Sequence, residues 1–262
     1  MITLRAIWIY PVKSLCGVRL DEARVDDRGV VGDRRFVVVD PRGRFVTQRE
    51  EPSLARLVPR LDGDTLAIEA PGGARVELDV TASGAPLEVT VWGDRVRALD
   101  AGEATARFLG DYLGAPHRLA RMPKSTVRSA DPRDARPGDR VAFQDGFPFL
   151  LAGEASLDAL AAGLAQPIDM RRFRPNLVVG GAPAFAEDEW GALTIGEVSF
   201  HARKRCPRCV VVDVDPDRGE RGAGVLSELA RTRTFERAAR FGQNLVHDGP
   251  GHLRVGDRVR LG

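Results

Sequence analysis

Short runs of strand-forming residues, each ended by a turn, fill the first hundred residues of this chain. Thr3–Tyr10 and Arg34–Val39 are rich in β-branched and aromatic residues, and the turn Asp40–Gly43 leads into Phe45–Thr47 as the return strand of a hairpin. Four further strands are predicted between Gly- and Asp-containing turns: Leu66–Glu69, Arg75–Val80, Leu87–Trp92 and Arg95–Leu99. Many short strands with few helices favour a barrel or a sandwich over a doubly wound parallel sheet.

Few helices are predicted in this chain. Asp100 with Glu103 three residues later is typical of a capping box, which predicts a helix as far as Leu113, closed by Gly114. In the second half the predicted helices are Glu154–Leu164 and Gly224–Arg231, and the predicted strands are Asn176–Val179, Leu193–Ala202, Val210–Val214, Gln243–Val246 and Leu253–Leu261.

A change of composition divides the chain. Its 262 residues are enough for one large domain or two smaller ones. Between residues 121 and 140 the chain is rich in Arg, Pro, Asp and Ser and poor in apolar residues, which is typical of a linker or a long surface loop. We therefore predict an N-terminal domain over residues 1–120, a linker over 121–140 and a C-terminal domain over 141–262.

Charge and cysteine usage exclude several classes of protein. The 39 basic and 37 acidic residues nearly cancel, so no general case exists for binding nucleic acid or an anionic membrane. No run approaches the roughly 18 consecutive apolar residues of a transmembrane helix, and the N-terminus lacks a secretion signal. Three cysteines are too few, and odd in number, for a disulfide framework. These features together predict a cytoplasmic protein.

The densest group of reactive residues is Arg203-Lys204-Arg205-Cys206-Pro207-Arg208-Cys209. A thiolate is a soft metal ligand and a nucleophile, and nearby cations lower the pKa that controls it. Three interpretations stay open. A zinc site lacks a second ligand pair, a redox dithiol lacks the helix that usually follows it, and two half-buried cysteines that only pack would not need four cations.

Cations and polar residues recur at the ends of the predicted strands. Lys13 and Ser14 follow the first strand and can hold a phosphate by charge and hydrogen bonding. Later positions of the same kind, which either clamp an anion or form surface ion pairs, are Arg34, Arg35, Arg49, Arg172, Arg174 and Asn176. Neither the Gly-x-Ser-x-Gly of hydrolases nor the Gly-x-Gly-x-x-Gly of dinucleotide-binding folds is present.

Taken together and in order, these segments resemble the MOSC family, specifically two-domain members with an N-terminal MOSC β-barrel domain. The resemblance covers nearly the whole chain, and the combination is specific although no single motif is. The matching segments are Tyr10–Ser14, Gly32–Phe36, Thr47–Arg49, Phe173–Asn176, Ala186–Trp190, Cys206–Cys209, Phe241–Asn244 and Val255–Val259.

The resemblance implies a β-rich α+β fold with two MOSC β-barrel domains and a bound molybdenum cofactor, a pyranopterin that carries a dithiolene and a phosphate. It implies that Cys209 ligates molybdenum. The residues implied to hold the cofactor are Lys13, Ser14, Arg34, Arg49, Arg174 and Asn176. These assignments agree with the chemistry of the residue types. A thiolate is a soft ligand and suits a soft metal, and the scattered cations suit a phosphate.

The implied activity is that of amidoxime-reducing components, which reduce N-hydroxylated small molecules such as amidoximes and hydroxylamines. Asp145, in the loop before Phe147–Leu151, is our candidate proton donor. No cysteines remain for an iron–sulfur cluster, so a separate electron donor is expected, a ferredoxin, a flavodoxin or a cytochrome b5-like protein. The alternatives are a carrier of the cofactor or of sulfur without reductase activity, and, as a family-level possibility, a pyridoxal phosphate-binding protein.

Overall fold

The computed structural model describes all 262 residues, and short strands dominate it. The strands of the first half are β1 (Thr3–Ile9), β2 (Val18–Leu20), β3 (Glu22–Asp26), β4 (Gly29–Val30), β5 (Phe36–Val39), β6 (Val58–Asp62), β7 (Thr65–Glu69), β8 (Arg75–Asp79), β9 (Pro86–Val91), β10 (Asp94–Asp100) and β11 (Arg118–Arg121). Those of the second half are β12 (Phe149–Gly153), β13 (Leu177–Gly180), β14 (Ala192–Ile195), β15 (Val198–Pro207), β16 (Thr234–Phe235), β17 (Ala238–His247), β18 (Gly251–Arg254) and β19 (Val259–Leu261).

Helices are few and short. The α-helices are α1 (Glu103–Leu113), α2 (Glu154–Ala161) and α3 (Val225–Thr232). Single turns of 3-10 helix are formed by Pro52–Arg56, Met170–Phe173, Ala186–Glu189 and Val210–Asp213. None of these helices has the length and apolar character needed to cross a membrane.

The largest sheet takes strands from both ends of the chain. Eight of its nine strands follow the order β19-β14-β15-β17-β12-β13-β1-β2, and β16 pairs with β17. Neighbouring strands are antiparallel except β12 and β13, which α2 connects as a parallel pair. The sheet curls until β1 meets the segment before β19, where Thr3 forms a bridge with Arg258 and the Val259 amide donates to the Ile2 carbonyl. The resulting barrel matches the predicted β-rich architecture.

The barrel core explains why the first strands join the second half of the chain. Seventeen buried residues form its main cluster, in which Leu4, Ile7 and Val25 pack with Phe149 and Phe200. The two phenylalanine rings meet edge to face with centroids 5.0 Å apart. Leu4, Ile7 and Ile9 of β1 supply one side of this core, with a register shift between Leu4 and Ala6, so the first strand is required to complete a barrel that the C-terminal half builds.

The rest of the first half forms separate small sheets. The order β5-β11-β10-β9 gives one sheet of four strands, and β6-β7-β8 gives one of three. The helix α1 packs against β8 and β11, where Leu109 joins a cluster with Leu66, Ile68 and Leu119. A third small sheet, β18-β3-β4, again pairs the first thirty residues with the C-terminal end. The division into domains at residues 120 and 140 stays a prediction.

The predicted strand Val210–Val214 is wrong, because Val210–Asp213 forms one turn of 3-10 helix. The Val212 amide donates to the Cys209 carbonyl at 3.1 Å, and the Val212 side chain is buried with Leu229 and Phe241. β-Branched residues favour strands only where a pleated, half-buried surface is offered. Here Val212 packs against the helix residue Leu229 and against Phe241, so local packing decides the backbone conformation in place of strand pairing.

Two smaller expectations also fail. Helix α1 ends at Leu113 as predicted, but it begins only at Glu103, its N-cap is Gly102 and no side chain caps it. Both carboxylates of the expected capping box, Asp100 and Glu103, pair instead with the Arg118 guanidinium. The return strand at Phe45–Thr47 is reduced to a bridge of Phe45 with Val39, so the turn is present without a regular hairpin.

Candidate functional site

A cavity of about 340 Å³ lies where loops from both halves of the chain converge, and we call it the inner cavity. Its walls come from the loop after β1, the segments on either side of β5, the loop before β12, the turn before β13 and the end of β15. All eight predicted site residues line it: Lys13, Ser14, Arg34, Arg49, Asp145, Arg174, Asn176 and Cys209. The fold therefore brings together positions that are up to 196 residues apart in sequence, from Lys13 to Cys209.

The lining of the inner cavity is strongly cationic. Asp145 is the one carboxylate among its lining residues. The cations are Lys13, Arg34, Arg49, Arg172, Arg174 and Arg208. A partly enclosed wall with six cations and one carboxylate has a positive potential, which favours an anionic ligand.

Two guanidiniums of this wall are stacked on one tyrosine. The Arg34 and Arg174 guanidiniums lie 4.3 Å and 4.1 Å from the centre of the Tyr10 ring, which is almost fully buried. Arg34 donates to the Asp33 carboxylate at 2.8 Å and to the Arg174 carbonyl at 3.1 Å. Arg174 donates to the Leu15 carbonyl at 2.7 Å. Both guanidiniums are therefore held rigidly, in the wall of the cavity, before any ligand arrives.

The backbone at these positions is strained. Ser14, Arg34 and Arg174 have φ angles of 73°, 48° and 55°, in the left-handed region that residues with side chains rarely adopt. Such a conformation costs on the order of 1–3 kcal/mol per residue and persists only where the surroundings enforce it. Three residues of one cavity wall share this feature, which is typical of sites that position groups for binding.

One of these guanidiniums has an unused donor. The Arg174 Nη2 atom is buried and has no hydrogen-bond partner, and the same is true of Arg172 Nε. Burial and the nearby Arg34 charge lower the pKa of Arg174 to about 10, so it stays protonated at neutral pH. An unpaired buried donor costs about 1–3 kcal/mol, which an anionic acceptor would recover. The inner cavity thus fits a ligand that carries a phosphate.

Asn176 and Gln48 form hydrogen bonds to other residues of the cavity wall. The Asn176 amide oxygen accepts from Arg34 and from the Leu150 amide, both at 3.2 Å, and its nitrogen donates to the Trp8 carbonyl. The Gln48 amide donates to the Ser14 carbonyl at 2.6 Å. Since the Asn176 amide already has protein partners, its geometry suits positioning Arg34 better than direct contact with a ligand.

Lys13 and Asp145 form an ion pair in the lining of the inner cavity. The Lys13 Nζ atom lies 2.5 Å from Asp145 Oδ1 and 2.9 Å from the Phe143 carbonyl oxygen. Desolvation raises the pKa of Asp145, but the Lys13 charge, with smaller contributions from Arg49 and the Trp92 N–H, holds it well below its usual range. Asp145 is therefore ionised at neutral pH. The role of proton donor stays a prediction, one that this ion pair disfavours.

The two cysteines enter the cavity from one side. Cys206 lies in β15, whereas Cys209 follows that strand and precedes the turn of 3-10 helix. Both thiols are free and half-buried. No group of three or more His, Cys, Asp or Glu residues in the protein is arranged to hold a metal ion. A metal bound at either sulfur would have to bring most of its ligands with it.

The cations around the cysteines do not have the expected effect. Burial raises the pKa of the Cys206 thiol, and the Arg208 charge only partly opposes this. Arg208 itself donates to the Phe241 and Phe173 carbonyls. The other three cations have acceptors elsewhere: Arg203 pairs with the Asp134 carbonyl, Lys204 with the Asp131 and Asp134 carboxylates, and Arg205 with Asp188 and Glu189.

The structure settles one open alternative and reveals residues that the sequence did not indicate. Of the two interpretations for Arg35, the ion pair is correct: its guanidinium pairs with Asp26 at 2.7 Å, away from the inner cavity, because consecutive residues near a strand point to opposite sides. The fully buried Asp33, which accepts from the Tyr10 amide at 2.8 Å, orders the loop that carries Arg34. Its position directly before the arginine was the available signal. Nothing in the sequence indicated that Tyr10 supports two guanidiniums.

Comparisons with known proteins identify the domains and the relatives of this chain. Residues 1–116 match the family model of the MOSC N-terminal beta barrel domain, and residues 138–260 match that of the MOSC domain. Mitochondrial amidoxime-reducing component 1 of Homo sapiens is 33% identical over 279 residues, covering 99% of this chain and 82% of the relative. Mitochondrial amidoxime reducing component 2 of Rattus norvegicus is also 33% identical, covering 98% of this chain and 82% of the relative.

A third relative is named for a different function. Molybdenum cofactor sulfurase of Bos taurus is 25% identical over 280 residues, which is 97% of this chain but only 32% of that protein. Two matching domain models and full-length similarity above 30% are sufficient to place the protein. The chain belongs to the MOSC family, as a member that carries both the MOSC N-terminal beta barrel domain and the MOSC domain and is similar over its whole length to the amidoxime-reducing components.

Proposed function

We propose that this protein holds a molybdenum cofactor in the inner cavity and reduces N-hydroxylated small molecules. One observation carries the proposal: the wall of one cavity contains both buried, rigid guanidiniums and two free thiols. The guanidiniums suit the phosphate of a pyranopterin, and a thiolate suits a soft metal. Full-length similarity to proteins named amidoxime-reducing components supports the same ligand and substrate class.

Specific residues are assigned to the two ends of the cofactor. Arg174, through its unused Nη2, and Arg34 would bind the phosphate, with Lys13 and Ser14 beside them and Arg49 at the cavity border. Cys209 would ligate molybdenum. Burial raises the pKa of Cys206, which disfavours its thiolate, and the family resemblance assigns the ligand role to Cys209. The role of Cys206 is that of a neighbour in the wall.

The bound cofactor would supply two-electron chemistry that side chains lack. Reduction of an amidoxime to an amidine breaks the N–O bond and consumes two electrons and two protons, and the oxygen leaves as water. Because Asp145 is ionised and paired with Lys13, we assign these residues to holding charge in the cavity wall. Electrons would come from a separate ferredoxin, flavodoxin or cytochrome b5-like protein. The relatives are named mitochondrial, and the cytoplasmic location stays a prediction.

A carrier of cofactor or sulfur is the second candidate. The similarity to molybdenum cofactor sulfurase favours it, as does the presence of a second thiol, Cys206, in the same cavity wall as Cys209. A carrier would bind the cofactor and release it to another protein, and would reduce no substrate.

Metal analysis combined with an amidoxime assay separates the two candidates. The purified protein is analysed for molybdenum and pterin, and reduction of an amidoxime is followed with a chemical reductant in place of the donor protein. We expect about one molybdenum per chain and formation of the amidine. Cofactor-loaded protein that reduces no N-hydroxylated compound would favour the cofactor carrier, and protein without molybdenum or pterin would exclude both the reductase and the cofactor carrier.

A further inference from the structure

A second, more open cavity adjoins the inner one, and we call it the outer groove. It has a volume of about 930 Å³ and lies between the β9–β10 hairpin and the segment around residues 127–133. Asp145, Phe147, Cys206 and Asn244 line both cavities. Because they share a wall that contains a cysteine, a small molecule in the outer groove lies next to whatever occupies the inner cavity.

The carboxylates of the outer groove are already paired with protein cations. Asp94 binds Arg128 at 2.8 Å, and Asp145 binds Lys13 at 2.5 Å. The third carboxylate, Asp131, binds both Arg133 and Lys204. No carboxylate of the groove is thus left to attract a cationic ligand, and five cations also line it, Arg49, Arg95, Arg128, Arg133 and Lys204, so the groove disfavours a cationic compound.

An aromatic ring at the mouth of the groove is partly exposed and yet fixed. Trp92, at the tip of the β9–β10 hairpin, is 48% exposed and adopts a φ of 55°. Its indole N–H donates to Asp145 at 3.2 Å, the edge-to-face Phe45 ring lies 5.1 Å away, and the Arg49 guanidinium lies 4.7 Å from its centre. An exposed indole with three fixed contacts presents a flat apolar surface at little conformational cost.

We propose that the outer groove is the substrate site, that its charge excludes cationic compounds, and that Trp92 selects N-hydroxylated compounds that carry a planar aromatic group. This inference rests on the proposed function and adds to it the substrate class and the residue that determines it. The aromatic group packs on Trp92, and the N–O group points to the wall shared with the inner cavity. Burial of a ring against a fixed indole favours an aromatic over an aliphatic compound by about tenfold.

The kinetic test compares two amidoximes that share the reacting group. The ratio of kcat/KM for benzamidoxime to that for acetamidoxime, per bound molybdenum, is measured for the wild type, Trp92→Leu and Trp92→Phe. We expect the ratio to fall about tenfold in Trp92→Leu and to change less than about threefold in Trp92→Phe, which keeps a ring but loses the N–H. Val58→Ala, an exposed apolar position in β6 outside the groove, is the matched control and leaves the ratio unchanged.

Equal losses with both compounds in both Trp92 variants would overturn the inference, since they would show that Trp92 acts by holding Asp145. Binding to cofactor-free protein gives a second measurement that needs no chemistry. Titration of benzamidoxime followed by NMR is expected to show about tenfold weaker binding to Trp92→Leu than to Trp92→Phe, and equal affinities would also overturn it. If this preference holds while no variant reduces any amidoxime, the proposed function fails and the preference of the groove stands.

Discussion

At the scale of single residues, the inner cavity is a place where the protein tolerates unfavourable features. Arg174 has a left-handed backbone, a second guanidinium close by and a buried N–H without an acceptor. Each feature costs free energy in the ligand-free protein. Under the proposed function, an anion bound to the guanidinium would give the free N–H an acceptor and would offset the costs of the backbone conformation and of the neighbouring charge.

Replacing Arg174 tests this directly. In Arg174→Asn the new residue tolerates the left-handed backbone, and the loss of a charged hydrogen bond of about 1.5–3 kcal/mol predicts cofactor binding weaker by roughly 10- to 100-fold. For cofactor-free protein, inorganic phosphate is expected to raise the melting temperature of the wild type clearly more than that of Arg174→Asn. The control is Arg171→Asn, because the Arg171 side chain pairs with Asp169 and Asp217 outside the cavity. Equal phosphate effects in Arg174→Asn and Arg171→Asn would contradict the assignment.

Asp145 gives a second prediction at this scale. Because the Lys13 charge keeps the pKa of Asp145 well below its usual range, we expect no role as an acid at neutral pH. Asp145→Asn should therefore lower kcat for amidoxime reduction by less than about tenfold, with rates expressed per bound molybdenum. General acid catalysis contributes about 100- to 10,000-fold, so a loss of that size would restore the proton-donor role.

At the scale of elements, the sequence predicts strands best where alternation and turns agree. The hairpin of β9 and β10, the strands β7 and β8 and the start of β1 all follow their patterns closely. The segment after Cys209 does not, because three valines in a row carry no alternation and their environment decides the structure. The positions of the site residues in sequence were predictable from the resemblance, but their contacts through Tyr10, Asp33 and Trp92 depend on long-range packing.

The turn of 3-10 helix after Cys209 predicts unequal roles for two valines. In a strand, Val210 and Val212 would point to the same face, and truncation of either would have a similar cost. In this structure only Val212 is buried, at 2% exposure, so Val212→Ala should lower the free energy of unfolding by about 2 kcal/mol and Val210→Ala by less than 1 kcal/mol. Urea denaturation of the two variants measures this, and similar losses would indicate a strand.

At the scale of the whole molecule, the two ends of the chain complete one barrel. The first strand pairs with β13 and β2, and β3 pairs with β18, so the N-terminal thirty residues are covered by the C-terminal half. Composition pointed to a boundary near residues 121–140, but composition carries no information on which distant strands pair. The inner cavity lies where these parts meet, which is why its residues come from both halves.

His247 links the same two parts and predicts a pH dependence. Its Nε2–H donates to the Asp26 carbonyl at 2.6 Å, and burial lowers the pKa of His247 below the ordinary value of about 6.5. The unfolded chain therefore takes up a proton at a higher pH than the folded protein does. The free energy of unfolding should be highest above about pH 6.5 and fall as the pH drops toward the folded pKa. Urea denaturation between pH 7 and 5 should show a smaller fall in His247→Gln, whereas identical falls would contradict this.

Ligation of molybdenum by Cys209 is the central claim at every scale, since it ties the cavity, the turn and the barrel to one chemistry. X-ray absorption spectroscopy of the purified protein counts the sulfur ligands of molybdenum directly. In Cys209→Ser the number of sulfur ligands should fall by one. The matched control is Cys206→Ser, which changes the other thiol of the same wall, and there the number should stay as in the wild type. An unchanged sulfur count in Cys209→Ser, or a lost sulfur in Cys206→Ser, would contradict the assignment.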